Sequence, residues 1–307
     1  MDDKLKQINL FIPGAAKSGT TSLHSLLDLH PEINMSTNKE PHFFTFPKEK
    51  FKNSEEYLAN FDFSKKYSYR GESSTGYFYF KNFKENIKAA AHPNSKFILI
   101  FRNPIDRTFS HYNYLKSLGS EDLDLKAAVL KDHQKEPTPD DLLPELIVKN
   151  YYQYSLYGKW LTEFYKHFKA ENIKVILFED LKENPLKTVN SCLRFLKLEE
   201  VTEIPEIKSN KTVKILFPKL YRSIRIFAFN KSKFRDGVKF LLPVKFRRKY
   251  KKKITEVFLN LMKTNKSLPK ATETERKWLY NLYKNDVKQL KKITGISYNQ
   301  WKDFNED

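Results

Sequence analysis

A chain of 307 residues that is 40% hydrophobic, with 25 Phe and 17 Tyr, has material for a sizeable core and is not a disordered tail. Its only cysteine is Cys192, which excludes an intrachain disulfide and fits a reducing compartment. The formal net charge of +19 is concentrated: Ile207 to Lys253 holds 17 Lys and Arg against a single acid, Asp236. That block is expected to face an anionic partner or surface, or else to be a solvated basic face.

The N-terminal stretch MDDKLKQINLFIPG has no apolar run long enough for a signal peptide or membrane span, so a soluble chain is expected. INLFIPG (Ile8 to Gly14) reads as a buried strand that ends in a turn. Helical spacing follows over Thr20 to Leu29, then a weaker strand over Tyr67 to Ser73 and a helix over Asn82 to Ala91. KFILIFRNP (Lys96 to Pro104) is the clearest strand, a continuous apolar run of the kind buried on both faces of a parallel sheet. Helices are predicted at Ile105 to Leu118 and Tyr152 to Phe168, with the acidic, proline-rich segment EPTPDDLLP (Glu136 to Pro144) as a loop or lid between them. IKVILFEDL (Ile173 to Leu181) is a further strand. Glu273 to Ile293 is a helix with Trp278, Leu279, Leu282, Tyr283 and Leu290 on one side, expected to pack back on the domain.

Strands alternating with helices predict an α/β fold, a central parallel sheet flanked by helices, with ligands beyond the C-terminal strand ends. The 307 residues are expected to form a single domain, with a basic helical or loop subregion at about 207–270.

Three stretches sit at predicted strand ends or carry chemistry. In FIPGAAKSGTTSL, Gly14 and Gly19 permit a tight turn, and Thr20 and Thr21 open a helix whose N–H groups suit an anion. The loop departs from the ATP-binding order, because Lys17 precedes Gly19 rather than following it. Gly71 and Gly76 are expected to flank another strand end. In FRNPIDRTFSHY, Arg102 ends a strand and Ser110 lies about two helical turns on, so both can grip one phosphate. NKEPHFF places Glu40 and His42 among Phe43, Phe44 and Phe46, either as an ordinary surface turn or as a general base whose carboxyl pKa is raised by the exclusion of water.

Taken in order, PGAAKSGTTSL, HPEI, KEPHFF, GESSTGYF and FILIFRNPIDRTFSHY resemble the sulfotransferases that use 3′-phosphoadenylyl sulfate (PAPS). The similarity is greatest to the heparan-sulfate O- and N-sulfotransferases and their bacterial relatives. It is strong over Ile8 to Leu118 and weaker through YSLYGKWLTEFYKHF, KVILFEDL and the C-terminal helix with Trp301.

The resemblance implies a P-loop-like sulfotransferase fold. It further implies that Lys17, Ser18, Gly19, Thr20, Thr21 and Ser22 hold the 5′-phosphosulfate, and that Arg102 and Ser110 hold the 3′-phosphate. Lys211 would complete the cofactor site from IKSNKTVK. Lys17 would offset charge on the leaving group, Glu40 would be the general base, and His42 would support the base or the acceptor. The product would be adenosine 3′,5′-bisphosphate. No metal is expected, and the sequence has no HExxH, EF-hand loop or Cys/His cluster.

The implied acceptor is a hydroxyl, of a saccharide or of a lipid-linked or anionic molecule. Ser73 stands where the related enzymes often carry a lysine tied to the acceptor side. The disulfide-closed loop of the animal enzymes has no counterpart, and neither has their Golgi anchor, which points to a bacterial-type cytoplasmic enzyme, at the inner face of the membrane if the basic block docks there. Two other readings are a P-loop kinase or nucleotide hydrolase, and a protein that binds nucleic acid or a membrane surface through the basic, aromatic block. Because the block also suits an enzyme that holds an anionic acceptor, nucleic acid is not expected as a partner.

Overall fold

The computed structural model describes residues 3–45, 54–135, 149–206, 214–229, 263–264 and 269–305. Phe46, the Glu136 to Pro144 segment, Lys211 and most of the basic block lie outside the described residues.

In chain order, β1 (Ile8–Gly14) leads to α1 (Thr20–Leu27), β2 (Ile33–Met35), the short α2 (Ser54–Leu58) and β3 (Tyr69–Ser73). Then follow α3 (Lys81–Ala90), β4 (Lys96–Phe101), α4 (Pro104–Ser117), α5 (Leu125–His133) and α6 (Tyr157–Tyr165). β5 (Ile173–Leu177), α7 (Phe178–Glu183) and α8 (Pro185–Leu196) come next. The described remainder is β6 (Lys214–Ile215), α9 (Pro218–Phe229), β7 (Lys263–Thr264) and α10 (Glu273–Thr294).

Among the described residues five strands form one parallel sheet in the order β2-β3-β1-β4-β5. Side chains alternate across it, as the strand period of two requires. Phe97, Leu99 and Phe101 of β4 enter a core shared with α3, α6 and α10. Ile98 and Ile100 enter the opposite core with α1 and α8. Burial on both faces explains the unbroken apolar runs at β1 and β4. The chain steps from β1 to one side of the sheet, through β2 and β3, and then to the other side at β4. The crevice beyond the C-terminal ends of β1 and β4 is therefore the topological switch point, where sheets of this kind bind ligands.

Local signals set the helix ends. Asn103 caps α4 with Pro104 in its first turn, and Asn184 with Pro185 does the same for α8. Thr272 and Glu275 close a capping box on α10, and Gly295, at φ 67°, ends it.

Two predicted elements are corrected. The strand expected to run to Leu181 stops at Leu177, because Phe178-Glu179-Asp180 turns into α7 with both acids in the first helical turn. The helix expected over Tyr152 to Phe168 is a short 3₁₀ turn (Gln153–Ser155) followed by α6. It restarts because the buried Asp286 carboxylate on α10 accepts the N–H groups of Gly158 and Lys159, each at 2.8 Å. Asp286→Ala is expected to cost about 2–3 kcal/mol of unfolding free energy, read from urea denaturation, since it leaves a buried and a half-buried N–H without their acceptor. Gly71 also does not flank a strand end. It lies inside β3, where a Cβ would sit 2.6 Å from the Met35 sulfur.

Candidate active site

The predicted phosphate loop follows β1, and the Ala15 N–H pins it to the Ile100 carbonyl of β4 at 2.9 Å. Lys17 and Gly19 take left-handed conformations, at φ 68° and 90°. Gly19 is required twice over, by its φ and because a Cβ there would lie 2.7 Å from the Phe178 ring. α1 starts on Gly19 with no side-chain cap, so the first-turn N–H groups have no partner within the helix and suit an anion.

A cleft of about 760 Å³ opens here. Lys17, Gly19, Thr20, Thr21, Ser22, Glu40, Arg102 and Ser110 all line it, so eight of the sequence-predicted residues converge on one space. Ser18 does not line it: its side chain is fully buried behind the turn. His42 stands behind Glu40 rather than in the cleft wall, with Nε2 3.2 Å from the Glu40 carboxylate. Lys211 lies outside the described residues.

Arg102 is held from several sides. Its guanidinium stacks on the Phe178 ring, 4.9 Å from the centroid, and its carbonyl accepts the Tyr157 hydroxyl at 3.0 Å. The neighbouring Asn103 donates its side-chain amide to Asp303 at 2.7 Å and its backbone N–H to Glu179 at 2.9 Å. Arg276 of α10 ties Asp303 at 2.8 Å and Asp106 at 2.7 Å. Trp301 donates its indole N–H to Glu179 at 3.1 Å. The predicted C-terminal helix thus packs back, and the turn after it braces the strand end that carries Arg102.

The Lys17 ammonium rests over the Tyr114 ring, 4.0 Å from its centroid. Burial, then the positive charges of Arg102, Arg107 and Lys39, bring the ammonium down to about 8. Glu40 emerges from a turn in which both it and His42 have left-handed backbones, at φ 61° and 51°. Lys39 pairs with its carboxylate at 2.6 Å, and the Thr75 N–H and hydroxyl donate to it at 2.8 and 3.1 Å. Burial pushes the Glu40 carboxyl upward, but Lys39, His42 and these hydrogen bonds outweigh it and hold the group below its ordinary value. Burial also lowers the His42 imidazole, against the pull of Glu40. At neutral pH the site therefore presents an ionised carboxylate backed by a neutral imidazole.

The sequence reading passed over Thr75, Tyr114, Phe178, Lys39 and Lys182, all of which line the cleft. Tyr114 was within reach, one helical turn beyond Ser110 on α4. Phe178 was hidden by its assignment to a strand.

Residues 7–268 match the family model described as a sulfotransferase domain. The chain belongs to the sulfotransferase family. Among curated relatives, it is 26% identical over 196 residues to a bifunctional heparan sulfate N-deacetylase/N-sulfotransferase 2 of Bos taurus, covering 60% of this chain and 21% of that protein. It is 23% identical over 263 residues to human carbohydrate sulfotransferase 15, covering 66% of this chain and 46% of that protein. The chain thus spans between about a fifth and a half of the length of these relatives. A sulfotransferase from Alicyclobacillus acidocaldarius has the same fold, with TM-score 0.66 at 22% identity, over 96% of this chain and 98% of that one.

Proposed function

We propose that this sulfotransferase moves the sulfonyl group of PAPS to a hydroxyl of a carbohydrate. The observation that carries the reading is the convergence of Lys17, the uncapped first turn of α1, Arg102, Ser110 and Glu40 on one cleft. Its residues fit the cosubstrate. Arg102 and Ser110 supply donors for a second phosphate apart from the α1 terminus, and Phe178, Leu181, Pro185, Ile204 and Pro205 supply an apolar wall for a base. The carbohydrate class rests on the named activities of the relatives.

In the proposed reaction, Glu40 takes the proton of the acceptor hydroxyl as that oxygen bonds to sulfur. The S–O bond to the phosphate breaks and its electron pair stays on the phosphate, where Lys17 and the first-turn N–H groups of α1 offset the charge. His42, touching the Glu40 carboxylate, keeps that carboxylate oriented.

Calorimetry tests the reading without an acceptor. Adenosine 3′,5′-bisphosphate is expected to bind tightly without metal, and ATP with Mg²⁺ weakly. Arg102→Ala is expected to weaken the bisphosphate by about 10–100-fold, as loss of a charged hydrogen-bond donor does, and AMP far less. Equal losses for both ligands would remove the 3′-phosphate role, and a preference for ATP would move the chain to the kinase reading.

A further inference from the structure

We propose that Glu72 is a positioning residue for Glu40: its buried carboxylate fixes the direction of two hydroxyl protons and thereby holds the turn that carries Glu40 and His42. This rests on Glu40 being the base. Glu72 is the penultimate residue of β3 and is wholly buried. One carboxylate oxygen accepts the Tyr57 and Tyr77 hydroxyls, both at 2.8 Å, and the other accepts the Ser74 hydroxyl at 2.7 Å. Among the described residues no lysine or arginine pairs with it. A buried carboxylate met only by neutral donors is costly to keep, so its geometry calls for an account.

The turn supplies one. Three alternate backbone N–H groups hang on the segment after Glu72. Glu40 N–H donates to the Ser73 carbonyl at 2.9 Å, His42 N–H to the Ser74 hydroxyl oxygen at 3.0 Å, and Phe44 N–H to the Tyr77 hydroxyl oxygen at 3.1 Å. A hydroxyl has one proton. Glu72 takes the protons of both Ser74 and Tyr77, leaving their lone pairs for His42 and Phe44. An apolar or donor group at 72 would free those protons to point at the turn. The turn needs an external hold, because Glu40 and His42 both occupy left-handed backbone, which is unfavourable for residues with a Cβ. The same segment grips the Glu40 carboxylate itself through Thr75. Residues 72–77 thus fix both the backbone and the side chain of Glu40.

The groups that bear on Glu72 are Tyr57 from α2, Ser74 and Tyr77 from its own segment, and the Glu40 charge above it. Beside them lie His42 and Lys39 on the turn and, through Ser73, His24 of α1, whose Nδ1 is 2.8 Å from the Ser73 hydroxyl. Burial raises Glu72 to about 7 against its three hydroxyl donors, with Glu40 adding to the rise. Above that pH Glu72 is an acceptor only. Below it the carboxyl gains a proton, becomes a donor, and competes for one of the hydroxyl lone pairs. The acid limb of kcat is therefore expected near pH 7 rather than in the range of Glu40.

Hydrogen exchange on the full chain is the test. Glu72→Gln is expected to speed exchange in peptides covering 38–45 by about tenfold or more, with the rest of the sheet unchanged and affinity for adenosine 3′,5′-bisphosphate retained. Ser74→Ala, a milder change, is expected to speed exchange in the same peptides less. With PAPS and desulfated heparan sulfate as acceptor, Glu72→Gln is expected to lower kcat without raising KM for PAPS and to lose the acid limb near pH 7. Unchanged exchange over 38–45 in both variants, or acceleration spread evenly over the chain, would overturn the proposal. Glu40→Gln separates the two readings: it is expected to lower transfer by about 10²–10⁴-fold with exchange unaltered. If it kept its turnover, the base assignment and the role of Glu72 toward it would fall together, while unchanged exchange in the Glu72 and Ser74 variants would remove the role of Glu72 alone.

Discussion

Lys17→Ala is expected to slow sulfonyl transfer by about 10²–10³-fold while the fold survives, the scale of losing one donor aimed at developing charge. The measurement is a single-turnover rate at saturating PAPS, with a thermal melt as the check on folding. Near-normal turnover would remove the leaving-group role. The lysine lies over an aromatic ring, and among the described residues no carboxylate pairs with it to compete with an incoming phosphate. Its lowered value gives a second readout. Below pH 8 the ammonium is already charged. Above it, binding a phosphate must first restore the proton, so affinity for adenosine 3′,5′-bisphosphate is expected to decline as pH rises past about 8, with proton uptake seen in calorimetry. In Lys17→Ala that decline is expected to vanish.

Glu40→Gln is expected to lower transfer by about 10²–10⁴-fold with bisphosphate affinity near wild type. The amide keeps the size of the side chain and one acceptor for Thr75, but it cannot take the acceptor's proton. Burst kinetics with PAPS and a carbohydrate panel, beside calorimetry with the bisphosphate, separates the outcomes. Affinity lost together with activity would make Glu40 a scaffold for the turn. Lys39, His42 and Thr75 hold this carboxyl below its ordinary value, so the raised value expected of an aromatic setting is not found; its action as a base rests on its being ionised and on close alignment with the acceptor hydroxyl.

The convergence of the α1 start, Arg102 and Ser110 on one cleft was legible because each piece is set by local sequence. Gly19, the threonines after it, Arg102 before Asn103-Pro104 and Ser110 are fixed by one turn or one helix each, and short-range rules reach that far. The surroundings of Glu40 were not. Glu40 looks like part of an ordinary surface turn until β3 is laid beside it, because Ser73, Ser74, Thr75 and Tyr77 lie more than 30 residues downstream of their partners on the turn. Likewise, the restart of α6 depends on Asp286, which is 128 residues from Gly158. The strand β2 was missed because three residues carry too little periodicity to be seen.

The brace behind Arg102 sets an order of assembly. Asn103 and the carboxylate that holds it, Asp303, are 200 residues apart, and Arg276 and Trp301 come equally late. In a chain growing on the ribosome, the turn after β1 and the start of α1 emerge long before that brace exists. The α1 end of the cleft is local and early, and the Arg102 end matures only when about the last tenth of the 307 residues has folded onto the sheet. A nascent chain therefore holds a half-built cleft, and on the proposed reading recognition of a doubly phosphorylated nucleoside belongs to the finished fold alone.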